Sequence, residues 1–165
     1  MRKHLLLCSA IAAMFALQAC SRAPDQAKVQ AAVDKAQADG QKKVVDAKAN
    51  LDKVMAENNK DVVNAQADAR VDAAKAAENQ PPPEADKDVV DARHDAMKKT
   101  ADAQYDLDKA QAEAAYNVAV ARCGSQVDDA LKACKETAKA SYDTAVAAAK
   151  ARNDSAQQRA QARAN

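Results

Sequence analysis

Apolar and small residues recur along this chain in steps of four, three and four, closing a pattern every eleven residues. One stretch reads Val90, His94, Met97, Ala101, Tyr105, Asp108, Ala112, Tyr116, Ala119 and Cys123; another reads Val127, Leu131, Cys134, Ala138, Tyr142, Ala145 and Ala149. A third runs through Val29, Val33, Ala36, Gly40, Val44, Ala47, Leu51, Met55, Asn58 and Val62. Steps of three and four put these side chains on one face of a helix. An eleven-residue period, about 3.67 residues per turn, makes paired helices run almost straight or with a slight right-handed supercoil. From residue 20 onward 40 of 146 residues are Ala, with three Leu and three Tyr and no Trp, Phe or Ile. Alanine is the strongest helix former but buries little area, so long helices with thin seams follow rather than a compact enzyme.

Two breaks divide the pattern. Proline cannot continue a helix, which stops one at Pro81-Pro82-Pro83, and Cys123-Gly124-Ser125 combines a helix-ending Gly with a capping Ser. The expected organisation is a long helix over 25–79, a Pro-rich break over 80–84, and a helical hairpin over 85–165 with helices at 85–122 and 127–163 and a disordered C-terminal end. The expected fold class is all-α: an extended rod or coiled coil followed by an antiparallel helical hairpin. Ser125 with Asp128 has capping-box spacing, and Asp39/Lys43, Asp95/Lys99 and Asp128/Lys132 stand in the favourable i,i+4 order. Asn58-Asn59 invites a break, but the apolar phase passes through it unchanged, so one continuous helix is expected with a bend at Gly40 or Asn58. Lys60-Asp61-Val62-Val63-Asn64-Ala65 recurs as Lys87-Asp88-Val89-Val90-Asp91-Ala92, and Val44-Val45-Asp46-Ala47 is a third, shorter copy.

The first 19 residues differ in kind. Arg2 and Lys3 precede an apolar run of 15 residues, Leu5 to Ala19, too short for the roughly 20 needed to span a bilayer and suited to a secretory signal. Leu17 occupies the −3 position before Cys20, where a small-residue cleavage site would need a small side chain. Leu17-Gln18-Ala19-Cys20 instead resembles the lipobox of bacterial lipoproteins. That resemblance implies removal of the signal peptide 1–19, diacylglycerol on the Cys20 sulfur, an acyl group such as palmitate on its amino group, and a lipidated tether over 20–24. Ser21 in place of Asp then implies the periplasmic face of the outer membrane, for a Gram-negative host. Burial contributes about 0.8 kcal/mol per CH₂, and two or more chains suffice for stable anchoring.

With Cys8 in the leader and Cys20 lipidated, Cys123 and Cys134 remain in an oxidising periplasm. Both stand on seams of consecutive antiparallel helices, which makes a disulfide closing the hairpin the favoured reading. A redox-active pair usually has Cys-x-x-Cys spacing and a metal site needs further ligands; both stay open as lesser alternatives. No metal or other cofactor is expected beyond the covalent lipid on Cys20.

A search for chemistry is otherwise unproductive. His94 reads as a packed polar spacer among Val90 and Met97, and Asp108 as a polar interruption that sets register. Tyr105, Tyr116 and Tyr142, with Val90, Met97 and Leu131, are the expected seam-packing residues. There is no phosphate loop, Ser/His/Asp set or HExxH motif, and no catalytic residue is assigned. Without the leader, 23 basic residues face 24 acidic ones, which implies no nucleic-acid partner.

The expected function is a non-enzymatic, lipid-anchored periplasmic protein acting as spacer, scaffold or interaction partner. Its partners would be the membrane through the anchor, copies of itself, or envelope proteins. In plan it resembles the small murein lipoproteins, without their C-terminal lysine for wall attachment, and Ala-rich proteobacterial envelope proteins with a Cys-x₁₀-Cys hairpin. The alternative is stress protection, because Ala, Lys, Asp and Gln in eleven-residue periods are similar to late-embryogenesis-abundant proteins. A membrane-surface helix is a weaker reading, since the apolar face has no Trp or Phe to anchor it.

Overall fold

The computed structural model describes residues 25–76 and 85–164, so the leader, Cys20, Ser21 and Pro81-Pro82-Pro83 lie outside the described residues. Within them the chain is three helices and no strand: α1 (Gln26–Ala76), α2 (Ala85–Cys123) and α3 (Asp128–Ala164). The 51 residues of α1 extend about 76 Å at 1.5 Å per residue. Asp25 caps its start, its Oδ1 accepting from the Ala27 N–H at 3.1 Å and from the Lys28 N–H at 3.4 Å. The helix passes through Asn58-Asn59 without interruption. Helix α3 runs to Ala164, one residue past the expected end at 163, in keeping with the helix propensity of its closing Ala, Gln and Arg residues, and Asn165 lies outside the described residues.

Helix α2 packs against both neighbours, which do not pack against each other. The alternatives of rod and coiled coil for the first helix resolve as pairing: α1 lies antiparallel along α2. Val29 stands beside Gly124, Gly40 against Ala114, and Asn58 against Ala96 and Thr100. Midway, Leu51 is buried with Ala103 and Leu107, and Val44, Ala47 and Val54 close over them. Burying each Leu contributes about 1.5–3 kcal/mol, a large share for a seam otherwise made of Ala and Val. The second pairing, α2 with α3, is also antiparallel, with Cys134 against Cys123 and Tyr142 against Tyr116 at 5.4 Å between ring centroids.

Gly40 serves close approach, not a bend. A Cβ placed on it would stand 2.7 Å from the Ala114 Cβ, nearer than two carbons tolerate, so the missing side chain lets α1 and α2 touch. The expected seam slips at four places, one of them on α3, where Ala145 is exposed and Val146 is half-buried. After Leu51 the next inward residue is Val54, three steps on, while Met55 is 50% exposed. Val90 is 38% exposed, and Val89 takes the inward place. All three Val-Val repeats behave alike: Val44, Val62 and Val89 are half-buried, and Val45, Val63 and Val90 are exposed. Val127, 40% exposed, precedes α3 instead of packing within it.

The α2–α3 turn also differs from its expected form. Three i to i−3 backbone bonds close it, from Gly124, Ser125 and Gln126 to Ala121, Arg122 and Cys123. Ser125 Oγ donates back to the Arg122 carbonyl at 2.9 Å, so it completes the end of α2 rather than capping α3. The first α3 bond runs from the Leu131 N–H to the Val127 carbonyl, and Asp128 holds φ at 50°, a left-handed value that Asp tolerates better than most residues.

Candidate functional site

The richest local chemistry gathers where α2 ends and α3 begins. Cys123 and Cys134 form a disulfide with Cα atoms 5.7 Å apart, within the usual range for such bridges. Cys123 is 1% exposed, so the bridge is buried at its α2 end. About two helical turns away, Tyr116 and Tyr142 meet at a tilt of 44°, as the ring quadrupoles prefer.

Between α1 and α3 the outer face of α2 stays uncovered at this end. A groove of about 460 Å³ runs along α2 and α3, bounded by Tyr116, Tyr142, Thr137, Ala138 and the disulfide. A wider one of about 850 Å³ runs along α1 and α2, bounded by Gln41, Val44, Val45, Val118 and Arg122. The two share Ala115, Ala119 and Cys134, so together they form one trough with an alanine floor. Sequence reading misses this trough because its floor is Ala, indistinguishable from Ala elsewhere in the chain; exposed Val45 is the only outward hint.

Polar side chains reach across both seams. Asn58, 5% exposed, donates from Nδ2 to the Ala96 carbonyl and to Thr100 Oγ1, both at 2.9 Å. Asp108 is the polar interruption expected of it: its Oδ2 receives Arg152 through two nitrogens, at 2.7 and 3.2 Å, and Gln104 holds its Oδ1 at 2.9 Å. Asp102 Oδ1 accepts from Asn153 at 3.0 Å and from Gln157 at 2.8 Å. None of the partners Arg152, Asn153 and Gln157 was legible from the apolar spacing, which ends at Ala149.

The expected i,i+4 pairs do not form. Lys43 crosses to Glu113 and Lys99 crosses to Asp61, while Lys132 turns to Glu136. Where i,i+4 pairs exist the Lys comes first, as in Lys139/Asp143 and Lys150/Asp154. The hydrogen bonds that Lys139 and Lys150 donate to the carboxylates of Asp143 and Asp154 raise their pKa values above the ordinary lysine value.

Of the seam residues expected, Tyr116 and Tyr142 meet, Leu131, Met97 and Tyr105 are half-buried along α2 and α3, and Val90 is left out. His94 is half-buried, with Nδ1 3.4 Å from its neighbour Asp95. Among the described residues no group of His, Cys, Asp and Glu is arranged to hold a metal ion, and no helix is long and apolar enough to cross a membrane. The proposed lipid carrier Cys20 lies outside the described residues. No family model, no curated protein and no solved structure matches this chain.

Proposed function

We propose that this is a non-enzymatic, lipid-anchored periplasmic protein that acts as a helical spacer or scaffold in the bacterial envelope, held at the outer membrane by acyl groups on Cys20. The observation that carries the reading is Leu17-Gln18-Ala19-Cys20 following a basic and apolar leader. The disulfide adds support, because such bridges persist in oxidising compartments and are rare in the cytosol. A layer of antiparallel helices tied by Asn58, Asp108 and Lys43 offers length and stiffness and presents surfaces to envelope partners or to further copies of itself.

Intact-mass analysis of protein recovered from membranes tests the proposal. The expected product begins at Cys20 with diacylglyceryl and N-acyl groups, and Cys20→Ala leaves the protein in the soluble periplasmic fraction. A chain retaining residues 1–19, or cleaved without lipid, defeats it. The stress-protective reading is separated by circular dichroism in dilute buffer. Cross-helix ties favour helices that stand before any drying; a chain helical only on drying or with lipid would favour protection.

A further inference from the structure

The trough at the disulfide end has an apolar character that stops short. Along the α2 stripe that forms its floor, Ala119 and Ala115 give way to Asp108 and Gln104, and Asp108 is closed off by Arg152. The apolar part therefore spans about eleven residues of α2, Ala112 to Arg122, or about 16 Å. The pairings within this layer run along whole helices, so a second copy packed in the same way would need apolar contact along several more turns. A single hydrocarbon chain needs only a narrow apolar channel of this length.

The position of the chain preceding α1 supplies the occupant. Val29 lies level with Gly124, at the mouth of the trough, and Asp25 stands four residues, about 6 Å, beyond it. Cys20 is five residues before Asp25, a reach of about 17 Å when extended. That covers the return to the mouth with length to spare. We infer that the trough cradles an acyl chain carried on Cys20, shielding it from water when the protein is away from a bilayer. This rests on the lipoprotein reading above. The alanine floor lets the chain lie close against the α2 backbone, and Val45 and Tyr142 flank it.

Removing methylenes from water favours occupancy of the trough in water and release into a membrane, where the same groups are already buried. The full-length protein, labelled in cells with a fatty acid bearing a photoactivatable diazirine, is extracted, transferred out of detergent, irradiated and digested for mass spectrometry. The expected result is lipid on Cys20 and intramolecular adducts on the peptides carrying Ala115–Ala119 and Thr137–Ala145. Ala115→Glu, at an exposed floor position, abolishes these adducts while helix content and the disulfide persist. Val45→Lys, on the α1 wall, gives a second variant at a position 64% exposed. Lipid on Cys20 with adducts scattered along all three helices, or joined to a second copy, overturns the cradle and leaves the anchor standing. So do adducts that survive both variants. Absence of lipid on Cys20 overturns both readings together.

Discussion

The two seams of α2 achieve the same antiparallel pairing by different means. Against α1 the contact is mainly steric: Gly40 meets Ala114, Leu51 settles between Ala103 and Leu107, Asn58 is the one buried polar residue among those described, and Lys43/Glu113 and Lys99/Asp61 pair only at exposed edges. Against α3 the contact is chemical: a disulfide at one end, a tyrosine pair beside it, then Asp108 with Arg152 and Asp102 with Asn153 and Gln157. The difference follows from what each helix has to spend. Helix α1 runs 51 residues and accumulates many small burials, while α3 has 37 residues and an alanine-rich face. A short seam poor in apolar bulk gains more from a covalent link and charged hydrogen bonds than from additional alanines.

The largest expected effect is on the chemical seam. Replacing Cys123 and Cys134 together by Ser costs about 2–4 kcal/mol, read as a fall in melting temperature with hydrogen-exchange protection lost first in α3. Equal loss of protection in α1 would show that the seams are not separable. On the steric seam, Gly40→Ala is expected to cost about 1–3 kcal/mol through overpacking, although Ala favours a helix over Gly by about 1 kcal/mol elsewhere. Adding Ala114→Gly should recover much of that loss, and a double variant no better than the single one would break the claim that contact distance is what matters. Asn58→Leu should leave stability within about 1–2 kcal/mol but loosen the α1–α2 register, detected by cysteine cross-linking between neighbouring seam positions. Arg152→Gln, removing a largely exposed partner from Asp108, should cost about 1 kcal/mol and alter protection only in α2 and α3. The smallest effect is with pH: the raised pKa values of Lys139 and Lys150 mean that their support of α3 is complete below the ordinary lysine value and fades as pH rises past it. Helicity of Lys150→Gln protein should accordingly be less sensitive to alkaline pH than that of the unaltered chain.

The same contrast explains what could be read in advance. Proline, glycine and helix propensity locate the helices to within a few residues. The α2–α3 seam is legible because Cys and Tyr are scarce, so Cys123, Cys134, Tyr116 and Tyr142 stand out at seam spacing. The face that α2 turns toward α1 is not, because Ala96, Ala103, Ala110 and Ala114 look like the alanines on its other faces. Val90 misleads for a related reason: adjacent valines leave two phases open, and only the partner helix selects Val89. The predicted ion pairs fail because long lysine side chains on a thin layer reach a neighbouring helix as easily as their own next turn, as Lys43 and Lys99 do. The trough escapes notice because a sequence pattern marks what is buried, and the trough is the face left uncovered.

An odd number of antiparallel helices has a mechanical consequence. Helix α1 starts at the disulfide end and α3 finishes at the other, so a pull between a tether near Asp25 and a load near Ala160 runs parallel to all three axes. Both seams are then loaded in shear, with every contact along them sharing the force, rather than being peeled open one contact at a time.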